Sequence, residues 1–434
     1  MSTTTARTVE LDITNVAHGG VFVARHEGRV VFVPDTLPGE RVRARIVDEN
    51  EKRFWRAETL EVLTPSEHRR PHVWAEASVD REPSERAGGA EFGHIELAHQ
   101  RALKHQVLAE GLERFAGVAP EFTVAAVDGE TPDGTRWRTR VSLHVDQHGN
   151  IGPYASRSHH VVPVDDLPLA IEAVAEAAKL EELPHGTTSI DIVASSTGTV
   201  RVLTRADEAG GGDRRRGGGR GRRGGPKPVR PAADPIRELV GEREFIVDAN
   251  GFWQVHRQAA TTLQQAVSAA IDDARFDPRA ANLDLYGGVG LLAAGVGDRF
   301  GSTTRITTVE SDERATEYAG ENLSEWVGAQ AVTAKVDAFL RSEIATGSRI
   351  ERSRYATATV VLDPPRSGAG AEIVAMLGEL RPASIVYVAC DPIALSRDVA
   401  LLAEQGYELD HLAAYDLFPN THHLEAVAGF SRTA

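Results

Sequence analysis

Ser384-Ile-Val-Tyr-Val-Ala-Cys-Asp-Pro-Ile-Ala-Leu-Ser-Arg-Asp398 is the stretch that decides how the chain reads. Ser384 to Ala389 is apolar, β-branched and aromatic, which predicts a buried strand. Cys390-Asp391-Pro392 breaks it, and apolar residues then recur at helical spacing from Ile393 to Leu402. Open α/β sheets gather their chemistry beyond the carboxyl ends of the strands. Cys390, the only cysteine among 434 residues, stands at such an end. A lone cysteine is more often a small buried hydrophobe, so position alone makes it a candidate and no more.

Working outward, helix and strand alternate through the C-terminal part. Gln254 to Ala274 predicts an amphipathic helix, with Val255, Ala259, Leu263, Val267 and Ile271 at spacing four. Strands are predicted at Asn282–Tyr286, Arg305–Val309 and Thr357–Leu362 besides Ser384–Val388, and a final pair near Leu412–Leu417 and Glu425–Phe430. This is a Rossmann-like α/β sheet with an antiparallel edge. Asn282-Leu-Asp-Leu-Tyr-Gly-Gly-Val-Gly290 is a strand running into a glycine turn, where backbone can approach a nucleotide closely. Glu310 ends the next strand, about 20 residues on, at the spacing of a ribose-binding carboxylate. Val360-Val-Leu-Asp-Pro-Pro-Arg-Ser-Gly368 ends a third strand with an acid that a buried strand would not hold in its interior, so Asp363 is expected to face a site. In the tail, Asp416-Leu-Phe-Pro-Asn-Thr-His-His-Leu-Glu-Ala-Val427 packs polar residues between apolar strands, and Glu425 is a candidate general base.

The N-terminal part reads differently. Residues 8–64 carry five short alternating segments separated by turns, which predicts an OB-like β-barrel over residues 1–66. Barrels of this kind bind single-stranded nucleic acid or serve as spacers. Residues 67–205 form an α+β segment with a helix over Glu91–Gly117 and no catalytic signature of its own. Residues 206–233 form a linker in which Gly210–Arg230 has almost no side chain able to build a core and is expected to be disordered. Between Arg214 and Arg230 it holds eight cations and no acid, against a net charge of −15 for the chain. Such asymmetry permits local attraction to a polyanion. Residues 234–434 form the α/β domain.

Composition excludes several classes. The first dozen residues lack the apolar core of a signal peptide, and no run of about 18 apolar residues occurs, so a cytoplasmic protein without a membrane span is expected. One cysteine excludes an internal disulfide, a Cys-based zinc site and a cysteine-ligated iron–sulfur cluster. No metal site is predicted.

Taken together the chain resembles, over almost its full length, the bacterial S-adenosylmethionine-dependent RNA (uracil-5-)-methyltransferases with an N-terminal TRAM domain. The resemblance is carried by Val31-Phe-Val-Pro-Asp-Thr-Leu-Pro-Gly-Glu-Arg-Val42 in the barrel, Phe252-Trp-Gln-Val255, Asp284-Leu-Tyr-Gly-Gly-Val-Gly290 and Asp363-Pro-Pro-Arg366. It continues through Tyr387-Val-Ala-Cys-Asp-Pro392 with Arg397-Asp398, and Phe418-Pro-Asn-Thr421 with His423 and Glu425. It implies a class I methyltransferase domain, S-adenosyl-L-methionine bound by Gln254, Tyr286, Glu310 and Asp363, Cys390 as nucleophile and Glu425 as proton acceptor. The implied partner is tRNA or rRNA, and the protein is expected to act as a monomer. The chemistry asks for the same residue types. Carbon 5 of uracil attacks an electrophilic methyl group only after a thiolate has added to carbon 6, and a base must then take the proton from carbon 5.

The sequence also departs from the family pattern. Many members hold an iron–sulfur cluster through Cys-Gly-Gly-Cys. Here that element is Ala87-Gly-Gly-Ala90, and Leu167 stands where another cluster cysteine is expected, so the chain is expected to lack the cluster and to fill its place by packing. His256 replaces an Asn, and Asp391 replaces the Asn after the nucleophile, an acid expected to raise the pKa of the thiol. Three other readings stay in view. A non-catalytic RNA-binding protein with a degenerate methyltransferase domain would not need both Cys390 and Glu425. A cytosine-5 RNA methyltransferase usually carries a Pro-Cys motif missing here. A TRAM-bearing radical enzyme needs three cysteines.

Overall fold

The protein is described by a computed structural model over residues 7–48, 54–156, 158–180, 182–206, 234–346 and 353–433. All of the Arg/Gly-rich stretch expected to be disordered lies outside these residues.

Alternating apolar residues in the first five strands close a small barrel. β1 (Thr8–Ala17), β2 (Val21–His26), β3 (Arg29–Val33), β4 (Arg41–Asp48) and β5 (Phe54–Thr64) pair in the order β1-β2-β3-β5-β4. Only β3 and β5 run parallel. Leu11, Phe22, Val31, Val33, Val42 and Trp55 fill the interior, and Phe92, Ile95 and Leu103 from beyond the barrel complete the same cluster. The barrel therefore cannot expose its whole surface to a partner. One end is stoppered by the next segment.

That segment is α1 (Leu97–Ala116), β6 (Val124–Ala125), β7 (Arg140–Val145), β8 (Ile151–Gly152), α2 (Glu172–Ala177), β9 (Thr187–Ala194) and β10 (Val200–Ala206). β10-β9-β7-β8 form a four-stranded sheet, while β6 joins the large sheet of the C-terminal part. Helix α1 is shared: Leu103 packs into the barrel, and Leu108 and Leu112 pack into the core of the large sheet. Ala87, Ala90 and Leu167 are buried with Trp74, Trp137 and Leu169 in one apolar cluster.

The C-terminal part opens with a hairpin, β11 (Pro235–Val240) and β12 (Arg243–Asp248), which the sequence reading did not resolve. Then follow α3 (Ala259–Ala270), β13 (Asn282–Leu285), α4 (Leu291–Phe300), β14 (Ile306–Glu310), α5 (Glu313–Asn322), β15 (Ala329–Thr333) and α6 (Val336–Thr346). The chain ends with β16 (Thr359–Leu362), α7 (Gly370–Leu380), β17 (Ser384–Ala389), α8 (Pro392–Glu404), β18 (Tyr407–Tyr415) and β19 (Glu425–Arg432). The sheet order is β15-β14-β13-β16-β17-β19-β18-β6, with β13 to β17 parallel and β19 antiparallel to both of its neighbours. The order reverses between β13 and β16, the topological switch point where such sheets bind ligands. Helix α3 begins later than its apolar spacing predicts. Thr139 donates to the Val255 carbonyl at 2.8 Å and Arg138 bridges to His256, so this segment pairs as extended chain and the helix starts only at Ala259.

Candidate active site

Because β13, β14, β16 and β17 are parallel, their carboxyl ends share one edge. Leu285 pairs with Val309 and Leu362, and Leu362 with Tyr387. One residue further on stand Tyr286, Glu310 and Asp363, side by side. β19 enters from the opposite direction, and the pairing of Ala389 with Ala426 sets Glu425 across from Cys390. Five of the six residues singled out in the sequence thus meet along one edge. Gln254 is set apart: it lies half-buried along a cavity of about 340 Å³ shared with Trp253, His256 and Glu238.

Glu310 is held in place by its own turn. Its carboxylate accepts from the Asp312 amide at 2.8 Å, from Ser311 Oγ at 3.0 Å and from the Gly288 amide at 3.3 Å. The glycine turn lies this close because Gly287 has no side chain. A Cβ there would sit 1.9 Å from Thr308 Oγ1 and 2.6 Å from Asp284 Oδ2. Tyr286 adopts φ 62°, a left-handed conformation costly for an aromatic residue and characteristic of functional turns. Burial pushes its hydroxyl up to about 12.

Asp284 went unread as a site residue, and it corrects the rule applied to Asp363. It lies inside β13, fully buried, where a carboxylate was expected not to be tolerated. It persists because Thr308 Oγ1 donates at 3.0 Å and the Ala293 amide, in the first turn of α4, at 3.3 Å. Its Oδ1 has no partner. Burial raises its pKa to about 7, and burial with the neighbouring Asp284 raises Asp363 likewise to about 7. Two carboxyls this crowded form a site short of positive charge.

Around Cys390 the same shortage recurs. Burial, then Glu425, then Asp363 push its thiol up to about 12, against which Arg366 acts. Asp391 was expected to be the acid responsible, and the structure reassigns that effect. The Asp391 carboxylate instead caps α8, accepting from the Ile393 and Ala394 amides at 3.0 and 2.8 Å. Glu425 is 4% exposed, and burial together with Asp363 holds its carboxyl well above the usual range. Cys390 opens onto a cavity of about 270 Å³ whose wall includes Val16–Gly19 of the barrel, Lys104 and Val107 of α1, Arg366, and His422–Leu424 of the tail.

The tail is held there by buried polar contacts that the sequence reading missed. Lys104 Nζ pairs with Asp416 Oδ1 at 2.5 Å and donates to the Phe418 carbonyl at 3.1 Å. Gln100, one turn earlier, accepts from the Asn420 amide at 2.8 Å and donates to Asn420 Oδ1 at 3.0 Å, while Asn420 Nδ2 donates to the Gly134 carbonyl at 2.7 Å. Gln100 and Lys104 stand four apart on α1, and that polar pair at helical spacing was the available signal. Asp398 works similarly on the loop after β16. It accepts from the Tyr387 hydroxyl and the Ala369 amide, both at 2.7 Å, and so fixes the segment carrying Arg366.

Comparison with known proteins agrees with this architecture. The profile of the TRAM domain matches residues 3–59, and that of the tRNA (Uracil-5-)-methyltransferase family matches residues 326–432. A protein of Streptomyces avermitilis named an uncharacterized RNA methyltransferase is 37% identical over 96% of this chain and 97% of its own length. A 23S rRNA (uracil(1939)-C(5))-methyltransferase of Shewanella sediminis is 26% identical over 97% of this chain and 95% of its own. Among solved structures, the tRNA (uracil-54, C5)-methyltransferase of Pyrococcus abyssi in complex with S-adenosyl-L-homocysteine superposes with a TM-score of 0.67 at 21% identity, covering 97% of this chain and 100% of that one. With a TRAM barrel docked on a methyltransferase sheet, and relatives matching it from end to end, the chain belongs to the RNA (uracil-5-)-methyltransferase family and is an enzyme.

Proposed function

We propose that the protein transfers a methyl group from S-adenosyl-L-methionine to carbon 5 of a uridine in tRNA or rRNA, through a covalent bond between Cys390 and carbon 6. The observation that carries this reading is the register that sets Glu425 across from Cys390, beside a cavity large enough for a base. S-adenosylmethionine would supply an electrophilic methyl group on a positively charged sulfur. The unpartnered Asp284 Oδ1 and the raised pKa values of Asp284 and Asp363 fit a cation at this edge. Glu310 would take the ribose hydroxyls, Tyr286 and Asp363 would border the donor, and Gln254 is retained as a fourth contact on the strength of Phe252-Trp-Gln-Val255.

Cys390 Sγ adds to carbon 6 of uracil, and the electron pair of the 5,6 double bond moves to carbon 5 and its neighbouring carbonyl. Once carbon 5 carries the methyl group, Glu425 removes its remaining proton. The double bond re-forms and the carbon–sulfur bond breaks. Positive charge is what the residues require for this. Arg366 already opposes the acids that keep the thiol protonated, and a cationic donor would do so further, which ties activation of the nucleophile to donor binding. With a single cysteine the chain offers one thiolate to iron, so we take it to work without an iron–sulfur cluster. We also take it to be a cytoplasmic monomer. Among the described residues no helix is long and apolar enough to cross a membrane. The barrel, and the Arg/Gly stretch of residues 210–230, would hold the RNA backbone.

RNA carrying 5-fluorouridine at the target tests the mechanism. Fluorine cannot leave carbon 5 as a cation, so the enzyme should be trapped as a protein–RNA adduct that survives denaturing gels and is missing from Cys390→Ala. Turnover on ordinary RNA without any such adduct would refute the covalent route.

A further inference from the structure

Asp391 follows the nucleophile in sequence, yet its carboxylate is engaged elsewhere. Oδ1 is occupied by the first amides of α8, and Oδ2 lies 3.2 Å from Nε2 of His18, on the turn between β1 and β2 of the barrel. Burial would raise the Asp391 carboxyl, but His18 and the two amides more than offset it, and it titrates below its usual value. The barrel turn reaches this position because Gly20 carries no side chain. Its φ is +73°, and a Cβ there would stand 2.9 Å from Nδ1 of His422 in the tail. His18 thus arrives from a different domain to meet the residue next to the thiol.

The groups facing Cys390 make this contact consequential. Glu425 comes from β19, and Asp363 and Arg366 from the loop after β16. Lys104 of α1, His422 and His423 of the tail and His18 of the barrel line the same cavity, while the Asp391 carboxylate is held at the head of α8. Two acids already act on the thiol against one cation. A third acid, freed beside it, would hold the thiol protonated still more firmly.

We propose that His18 is a positioning residue, which by hydrogen-bonding Asp391 keeps that carboxylate on the helix end, so that Cys390 can ionise. This rests on Cys390 being the nucleophile. The barrel then serves the chemistry as well as the RNA, since a turn of the barrel governs the acidity of a thiol in another domain.

Since Cys390 is the sole cysteine, alkylation of the full-length protein by iodoacetamide across a pH series reads this thiol alone. His18→Ala should slow alkylation at about pH 8 by roughly three- to tenfold, the effect of up to one unit in thiol pKa. Asn retains the ability to cap a helix, so adding Asp391→Asn to His18→Ala should bring the rate back to within about twofold of the wild type. Single-turnover methylation at saturating RNA should follow the same order. His18→Gln, whose amide can still donate, should keep most of the wild-type rate and guards against misfolding of the alanine variant. An unchanged alkylation profile in His18→Ala, or no recovery in the double variant, would overturn the proposal. A contact that merely docks the barrel is lost in both variants and predicts no recovery. The alkylation result stands apart from the reading of Cys390 itself, which fails instead if Cys390→Ala still methylates.

Discussion

The two halves of the site, the ends of β13, β14 and β16 on one side and the cavity at Cys390 on the other, differ in how their parts are brought together. Tyr286, Glu310 and Asp363 each close one strand of a single sheet, and parallel pairing aligns them without help from elsewhere. The cavity at Cys390 takes its walls from residues 16–19 of the barrel, from α1, from Arg366 and from the tail. One half is made by register alone; in the other, register sets Glu425 across from Cys390 and docking supplies the walls. Register survives small changes in packing, whereas docking depends on the few buried groups that clamp the layers. The halves should therefore respond differently to substitution.

The largest effects belong to the docked half. Cys390→Ala should reduce turnover below detection while leaving donor affinity unchanged, because the thiol contributes chemistry and not binding. Glu425→Gln should slow turnover by about 10²–10⁴-fold and accumulate a Cys390-dependent protein–RNA adduct on denaturing gels. Equal loss in both variants with no adduct would remove the division of labour between them.

Lys104→Met breaks the clamp without touching the sheet. It leaves buried Asp416 with Arg101 Nε, at 3.4 Å, as its remaining cation partner, so the cost in urea unfolding should be about 3 kcal/mol, the lower end for breaking a buried pair. Lys104→Met with Asp416→Leu should regain most of that stability but not the rate of product release from the adduct, because the tail loses its tie at the Phe418 carbonyl. Full recovery of both would show that the ion pair only stabilises the fold.

A smaller effect is expected on the register side. Glu310→Ala should weaken donor binding by ~1.5–3 kcal/mol, the range for hydrogen bonds to a charged group, measured by calorimetry. Cys390 alkylation in the donor-free protein should not change, since Glu310 is not among the groups acting on the thiol. A change in thiol reactivity would mean the halves are less separate than their construction suggests.

The smallest effect is one of pH. The folded-state pKa of Asp363 is raised to about 7 from an ordinary value near 3.8, so the native state holds a proton that the unfolded chain releases. Stability from this group is present below that ordinary value and is lost as pH rises through about 7. Asp363→Asn should accordingly raise the melting temperature by a few degrees at mildly alkaline pH and leave it unchanged well below the ordinary aspartate value. A shift of equal size at both extremes would point to packing in place of charge.

Legibility in the sequence follows the same division. Strand ends and glycine turns are local events, written in consecutive residues, and the period of the apolar positions located β13, β14, β16 and β17 to within two residues. Helix α3 was misplaced at its start because Thr139, more than a hundred residues away, pairs with Val255. β15 was missed because its burial is only partial and so leaves little apolar pattern.

What the sequence determined by itself was the α/β sheet, the barrel, and the residue types at the strand ends, since each rests on local spacing and on where polarity must interrupt an apolar strand. Only the tertiary structure decided that Glu425 faces Cys390, that Asp284 is a buried acid without a full complement of partners, and that Lys104 and Gln100 hold the tail. It alone turned Asp391 from the neighbour of the thiol into the partner of His18. Charges act through space and fall off with distance, so which acid governs a nucleophile depends on where side chains point once the layers have docked, and adjacency along the chain does not encode that direction.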